Sequence, residues 1–280
     1  MIGAKRKIIS YIYTTIVIII LLVLLFPLFW IISASIRPYS SLYTTDTRII
    51  PENASLKAYY WVLFESKFWI YTKNSLIVYI VTIISSLLIT IPAGYALSRF
   101  KFFGKEIILY SYFIIAQFMS GMSIIGLIGL YIFLVRIKLV DSLVVLGLIY
   151  GASNVPFVTW YLKSYFDNIP RDFDEAAFLD GASFLQNLRY VIVPIAKPGV
   201  LVAVIFISIF TWSEWVIGGM LLRPEHFTLP IGLVTLQVRW ETPWNRFAAM
   251  SILYSIPMII TFILAHRQME SGMTLGGLKG

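Results

Sequence analysis

Residues 174–194 read DEAAFLDGASFLQNLRYVIVP, a long polar interruption in an otherwise apolar chain. Pro170 suits the first position of a helix, where no backbone donor is needed. Asp172, Asp174 and Glu175 then fall in the first turns, where their charges complement the positive end of the helix dipole. The pattern therefore predicts a short helix that begins near Pro170.

A second short helix is predicted directly after the first. Gly181 should end the first helix, because glycine readily adopts positive φ at a C-terminal stop. Ser183 can cap the second helix, and Gln186 stands at the spacing of a capping box. That helix must stop near Pro194. The two helices should meet at an angle around Gly181.

The same stretch resembles the EAA loop of ABC importer permeases. The family pattern has a Glu-Ala-Ala triplet, a glycine and, further on, an aliphatic pair that leads into a proline. The matching positions here are Glu175, Ala176, Ala177, Gly181 and Pro194. Val191 and Val193 depart from the usual Ile and Leu but are similar in size. The match covers about twenty residues, which makes it specific.

The resemblance also implies a role for this loop. In the family, the loop lies in a groove of an ATPase and transmits its movement to the membrane spans. Glu175 and Asp180 would supply charge to that groove, while Ala176, Ala177 and Gly181 would supply small surface. The sequence around Asp180 is typical of the sugar-transporting branch.

The composition indicates an integral membrane protein. The 280 residues are 59% hydrophobic and 13% charged, against roughly 45–50% and about 25% in soluble domains. The net charge of +8 comes mostly from basic residues at the ends of apolar runs, which suits bilayer anchoring rather than nucleic acid. The chain has no cysteine, and His226 and His266 are far apart, so no metal or other cofactor is predicted.

Six apolar runs are long enough to cross a bilayer, which takes roughly 20 residues. The predicted spans are about 8–33, 72–97, 107–134, 139–162, 199–221 and 247–265. The predicted fold is therefore an all-α integral membrane protein, the type I ABC importer permease fold. It forms one domain over 1–280 with a cytoplasmic two-helix coupling loop at 163–198.

Basic residues near the span ends give the orientation. Lys5, Arg6 and Lys7 precede the first span, and Arg99, Lys101 and Lys105 fill the loop after the second. Both termini and the 163–198 loop should thus be cytoplasmic. Loops 36–71 and 222–246 should face outside. Thr228-Leu-Pro-Ile-Gly232 in the second of these resembles a segment that, in maltose-type permeases, reaches into the binding protein. An inert connector is the alternative.

Glu214 is an ionisable residue inside the predicted fifth span, which makes it a functional candidate. Trp212 and Trp215 flank it, and aromatic rings with a carboxylate could line a carbohydrate pathway. The alternative is an interfacial carboxylate within an aromatic belt. Gly147 and Gly151 form a GxxxG pair in the fourth span, which predicts close helix packing within the chain rather than a dimer contact.

The C-terminal tail, 272–280, resembles the ending of maltose-type permeases, with Met273 and Leu278 as departures. Its glycines predict no helix of its own. In the family this ending inserts between the ATPase subunits. Gly276, Gly277 and Lys279 are therefore the predicted contacts, and a frayed tail is the alternative.

The sequence as a whole is similar to permease subunits of maltose-type carbohydrate importers. The family implies a prokaryotic plasma-membrane location, a second permease subunit, an ABC ATPase dimer and an extracytoplasmic sugar-binding protein. The chain has no phosphate-binding loop and no evident catalytic constellation, so ATP hydrolysis must reside in a partner and the chain is predicted not to be an enzyme.

Other functions stay open at this stage. They are an ABC permease for a non-sugar solute, an ion-coupled secondary transporter and a membrane-embedded enzyme. An ion-coupled transporter should carry buried acids or broken helices near the midplane, and apart from Asp141 at the edge of the fourth, Glu214 is the one acid within a predicted span.

Overall fold

The computed structural model describes residues 2–41, 48, 50–119, 124–237 and 241–276, and all regular structure in these ranges is helical. The helices are α1 Ile2–Ile36, α2 Lys57–Tyr60, α3 Phe68–Arg99, α4 Lys105–Met119, α5 Ile124–Arg136, α6 Leu143–Asp167, α7 Asp172–Leu179, α8 Phe184–Asn187, α9 Val193–Ile195, α10 Lys197–Ser213, α11 Val216–Leu221, α12 Leu229–Val234 and α13 Trp244–Gly276. Trp61–Glu65 and Leu188–Ile192 are π-helical turns, and Tyr39–Ser41 is a 3₁₀ turn. The predicted all-α class is confirmed.

Within the described ranges, four helical segments are long and apolar enough to cross a membrane. They are Tyr11–Ile36, Phe68–Arg99, Leu143–Asp167 and Trp244–Gln268. These segments correspond to the first, second, fourth and sixth predicted spans. Their exposed side chains are largely apolar, as a lipid environment requires.

The other two predicted spans are not described as single helices. Within the run 107–134 the structure describes α4 and α5, and 120–123 between them lie outside the described residues, so this span stays a prediction. The run 199–221 is not one helix, because α10 ends at Ser213 and α11 begins at Val216. A fifth crossing is present if α10 is joined to the helical stretch Phe184–Ile195, from which it is bent by 83°. The number of six spans stays a prediction.

The chain divides into two compact units. One comprises Met1–Trp69 and Leu233–Ser255, and the other comprises Ile70–Gly232 and Ile256–Gly280. In the first unit, the Arg246 guanidinium lies 4.3 Å from the centre of the Trp61 ring. The Asn245 side chain donates to the carbonyl of Arg37 at 3.2 Å. The single domain over 1–280 stays a prediction.

The second unit holds two hydrophobic cores, one built around Tyr95, Leu162, Phe166 and Ile192 and the other around Tyr150. The first core lies beside the coupling loop. We therefore call this end of the unit the coupling end. The second core includes Leu146, Ile217, Leu222 and Ile231 and lies beside the 137–142 and 222–232 segments. We call it the opposite end.

Close packing of α3 against α6 joins the two cores. A Cβ on Gly147 would lie 2.7 Å from Cβ of Val81, and one on Gly151 would collide with the Ser85 hydroxyl. The Thr82 hydroxyl donates to the Gly147 carbonyl at 3.1 Å. Small residues thus let the two helix backbones approach closely. The predicted intrachain role of the glycine pair is confirmed.

The tail departs from its prediction. Helix α13 continues to Gly276, so the prediction that 272–276 lack a helix is wrong. Extending an existing helix avoids the nucleation cost that a separate helix would have. Gly277 and Lys279 lie outside the described residues.

Candidate coupling site

The turn between α7 and α8 has the predicted backbone. Gly181 has φ +83°, and its amide donates to the Phe178 carbonyl at 3.1 Å. Ser183 and Gln186 form the predicted capping box: Ser183 N–H donates to Gln186 Oε1 at 2.7 Å, and Gln186 N–H donates to Ser183 Oγ at 3.4 Å. Two short helices therefore meet at Gly181, as the sequence predicts.

The second of these helices is longer than α8 alone. Phe184–Ile195 is helical throughout, with a π-helical turn in its middle, and Pro194 stands in α9 near its end. The 83° bend that follows turns the chain into α10. The predicted stop near Pro194 is thus confirmed.

The first helix starts later than predicted. Helix α7 begins at Asp172, two positions after Pro170, so Pro170 is not its first residue. The carbonyl of Arg171 accepts from Asp174 and Glu175 amides at 2.9 and 3.0 Å, which fixes that start.

The motif side chains lie on the open face of this helix pair. Glu175, Ala176, Asp180 and Gly181 are exposed, whereas Ala177 is buried. Neither Glu175 nor Asp180 forms an ion pair with any described residue. A Cβ at Gly181 would meet nothing within 4 Å. Leu179 beside them is 88% exposed. The face carries unpaired negative charge, small residues and an uncovered apolar side chain.

The other face of α7 is anchored by Asp174, which is 6% exposed. Its Oδ1 accepts from the Tyr95 hydroxyl and, at 2.8 Å, from Nδ2 of Asn187. Arg99 Nε lies 2.8 Å from Asp174 Oδ2. A buried carboxylate is tolerated only when it is paired and hydrogen-bonded in this way. We call Tyr95, Arg99, Asp174 and Asn187 the clamp.

Arg99 also reaches the end of α6. Its Nη1 donates to the Phe166 carbonyl at 3.1 Å and its Nη2 donates to the Ile169 carbonyl at 2.9 Å. A cation at a helix C-terminus complements the helix dipole and satisfies carbonyls that lack a partner within the helix. One guanidinium therefore binds the end of α6 and the start of α7 together.

Sequence reasoning did not find the clamp. It assigned Asp174 to the helix dipole alone, and it used Arg99 only as a loop charge that indicates the orientation. Asp174 lies 79 positions from Tyr95, so no local pattern links the two. One sequence feature could have indicated the clamp. Tyr95 and Arg99 are polar groups at the end of an apolar span, and such groups need partners there.

Glu214 occupies the break between α10 and α11. Its Oε1 accepts from the amides of Val216 and Ile217, each at 2.8 Å, and its Oε2 accepts from the Tyr150 hydroxyl and, at 3.4 Å, from the Gly218 amide. The carboxylate thus caps α11, whose positive end favours an anion. No described lysine or arginine pairs with it. Trp212 is buried and Trp215 is 46% exposed.

At the opposite end, Asp141 holds the segment around Arg223 and His226 through its carboxylate. Its Oδ1 accepts from the Arg223 amide and from His226 Nδ1, each at 2.9 Å. Partial burial alone would raise the pKa of Asp141. The hydrogen bonds from the Arg223 amide and from His226, together with the electrostatic effect of both side chains, hold that pKa below its usual value.

The 228–232 segment packs nearby in the same unit. The Ser75 hydroxyl accepts from the Leu229 amide at 2.7 Å, and Thr228, Leu229 and Ile231 are buried. The segment predicted to reach a binding protein is therefore packed inside the unit.

The matches to known proteins agree with this architecture. Residues 86–273 match the family described as the binding-protein-dependent transport system inner membrane component. This chain belongs to that family. Residues 163–198, with the coupling helices, lie inside the matched range, as do the clamp and Glu214.

Similar proteins carry sugar-related names. The chain is 34% identical to the galactooligosaccharides transport system permease protein GanQ of Bacillus subtilis, over 92% of this chain and 91% of that one. It is 31% identical to the trehalose/maltose transport system permease protein MalG of Thermococcus litoralis, over 92% and 93%. It also superposes on a chain of a crystal structure of a bacterial ABC transporter involved in the import of the acidic polysaccharide alginate. That superposition has a TM-score of 0.75 at 26% identity and covers 94% of this chain and 97% of that one.

Family membership settles the class of protein. The chain is a multi-pass membrane component of a prokaryotic transport system that depends on a binding protein, and it is a transport protein rather than an enzyme. The permease fold expected from the sequence is confirmed by the superposition.

Proposed function

We propose that this chain is a permease subunit of an ATP-driven importer for a carbohydrate and forms half of its translocation pathway. The observation that carries the proposal is the exposed face of α7 and the turn at Gly181, in a chain whose relatives are named as sugar permeases. Those relatives are named for several different sugars, so the proposal is for the class and not for one sugar.

The coupling face is the proposed contact with an ATPase dimer. Glu175 and Asp180 lack ion-pair partners among the described residues, so their charges are available to a partner. The small residues Ala176 and Gly181 let another backbone approach, and Leu179 would bury its exposed apolar surface. Movement of the ATPase would then displace α7 and α8 together.

The remaining parts of the assembly follow from the family's type of transport. A second permease subunit would complete the pathway, and both termini would be cytoplasmic, on the side of the coupling face. Gly276, Gly277 and Lys279 would form a second contact with the ATPase. The binding protein would meet the opposite end, where Arg223 is exposed.

Trp212, Glu214 and Trp215 remain proposed pathway residues. The exposed ring of Trp215 is the group that could stack on a sugar, whereas Glu214 is engaged in capping α11. A contact between Glu214 and sugar would have to replace the Tyr150 hydroxyl or one of the amides.

Uptake in proteoliposomes tests the carbohydrate proposal. The assembled transporter, with its binding protein outside and ATP inside, would be offered labelled maltose, trehalose, galactooligosaccharides and chitobiose derivatives, with labelled amino acids as the non-sugar comparison. We expect ATP-dependent accumulation of at least one sugar. Accumulation of an amino acid alone, or sugar uptake that follows an ion gradient without ATP, would contradict the proposal.

Gly181→Asp tests the coupling face. Aspartate tolerates positive φ better than most residues and has open space here, so the variant should insert and assemble. Binding-protein-stimulated ATP hydrolysis should fall, because a carboxylate now occupies the contact. Gly104→Asp is the matched control: Gly104 has φ +85°, equally open surroundings and a place outside the loop. Equal activity of the two variants would remove the coupling role.

A further inference from the structure

The coupling helices have two covalent connections to the spans. Residues 168–171 lead back into α6, and Ala196 leads forward into α10. Span α3 ends at Arg99, far earlier in the chain, and three helices separate it from the loop along the sequence. Any force that reaches α3 from α7 must therefore pass through side-chain contacts.

The clamp supplies those contacts. Tyr95 and Arg99 are one turn apart on α3, and both bind the carboxylate of Asp174 on α7. Asn187, from the second coupling helix, donates to the same carboxylate oxygen and, at 2.8 Å, to the Tyr95 hydroxyl. One buried carboxylate therefore joins α3, α7 and α8, and none of the three can shift alone without breaking a charged or buried hydrogen bond.

A second group of three residues reinforces this end of α3. The Ser98 hydroxyl donates to Asp167 Oδ1 at 2.7 Å, and Lys163 lies 2.7 Å from Oδ2 of the same carboxylate. The end of α3 is thereby bound to the last turns of α6. Beyond this end, the Gly147 and Gly151 contacts continue the α3–α6 packing toward the other core.

We propose that Tyr95, Arg99 and Asp174 are positioning residues that make α3 a third route by which movement of the coupling helices reaches the spans. This inference rests on the proposed coupling function. It goes beyond that function because it assigns a transmitting role to a span that is not directly connected to the loop along the chain. The close packing of α3 on α6 would pass movement of α3 on to α6 as well.

The test compares distances in the assembled transporter with and without a non-hydrolysable ATP analogue. The chain lacks cysteine, so spin labels at Lys101→Cys, just after α3, and Asp172→Cys, at the start of α7, report one distance. With the clamp intact, we expect the same distance in both nucleotide states. With Tyr95→Phe or Asp174→Asn, the distance should change or its distribution broaden when the nucleotide binds.

Coupling is measured in the same preparations. Changes along a coupling route alter it by about 2- to 30-fold, so binding-protein-stimulated ATP hydrolysis should fall within that range in both variants while unstimulated hydrolysis stays unchanged. In the double variant, stimulated hydrolysis should fall by less than the product of the two single-variant reductions, because both changes act on one carboxylate. Arg99→Lys should retain part of the coupling. Glu106→Gln, which removes an exposed carboxylate from neighbouring α4, is the control.

The outcomes separate this inference from the proposed function. Unchanged label distances and normal stimulation in Tyr95→Phe and Asp174→Asn, with Gly181→Asp still defective, would overturn the clamp alone. Normal stimulation in Gly181→Asp as well would overturn the coupling function. If Asp174→Asn does not assemble, Tyr95→Phe decides the matter, because it removes one hydroxyl and leaves the ion pair in place.

Discussion

Two carboxylates within the second unit are held in contrasting ways. Asp174 at the coupling end is nearly inaccessible, and it has an arginine, a phenol and an amide as partners. Glu214 at the helix break is partly exposed, and its partners are one phenol and three backbone amides, with no cation among the described residues. The first joins α3, α7 and α8, whereas the second caps the start of α11 and accepts one hydrogen bond from Tyr150 on α6.

The two arrangements differ in how much of the molecule each one makes rigid. A buried carboxylate such as Asp174, with an ion pair on one oxygen and hydrogen bonds on the other, fixes the relative placement of several helices, because moving any of them breaks one of these contacts. The Glu214 carboxylate fixes the backbone at the start of α11 and, through the Tyr150 hydroxyl, makes a single contact with α6.

The largest expected loss of stability follows from removing the negative charge of the clamp. Asp174→Ala leaves Arg99 buried without a carboxylate, and breaking a buried pair in this way costs about 3–5 kcal/mol. We expect a corresponding loss in the free energy of unfolding of the detergent-solubilised transporter. The double variant Asp174→Ala with Arg99→Leu should recover part of that loss, because the unpaired charge is gone. No recovery would show that the ion pair is not the source of the effect.

The next effect is loss of the cap at the helix break. Glu214→Ala leaves the Tyr150 hydroxyl and the amides of Val216 and Ile217 without their acceptor, which costs about 2–3 kcal/mol. Glu214→Gln keeps one acceptor oxygen and should cost about half as much. Thermal unfolding of both variants measures this. If both variants unfold at the same temperature as the wild type, water replaces the carboxylate and Glu214 is not a structural cap.

A smaller effect is expected at Tyr150. Tyr150→Phe removes one hydrogen bond to a charged group and leaves the three amide contacts of Glu214, so the loss should be about 1.5 kcal/mol. Tyr79→Phe, which removes another hydroxyl within the same unit, serves as the comparison, because Tyr79 bonds to the neutral hydroxyls of Ser208 and Thr261. If Tyr79→Phe costs more than Tyr150→Phe, the charge on Glu214 contributes nothing to the contact.

The smallest effect concerns the neutral cap on α8. Ser183→Ala should cost about 1 kcal/mol, the usual value for an N-cap, and less than removal of the charged cap at Glu214. Ser183→Asp restores an acceptor and should recover the loss. Thermal unfolding of the two variants provides the measurement. A larger loss at Ser183 than at Glu214 would reverse the order of the two caps.

Local signals in the sequence predicted much of this molecule. Four spans follow from apolar length, and the turn between α7 and α8 follows from Gly181, Ser183 and Gln186, because each acts on backbone within a few positions. The clamp could not be predicted, since Asp174 meets Tyr95 and Arg99 only after the chain folds back. The break after Ser213 was missed because no proline or glycine stands at 213–215, and a carboxylate that bonds forward to its own backbone leaves no pattern in hydropathy.

Single-cysteine cross-linking tests most directly which end of the unit meets the ATPase. The chain has no cysteine of its own, so Asp180→Cys at the coupling end and Arg223→Cys at the opposite end each give one reactive site. Both native residues are exposed. With a cross-linker between thiols and amines, the account predicts an adduct with the ATPase subunit from position 180 and none from position 223. An adduct from position 223, with none from position 180, would contradict the coupling site and the orientation together.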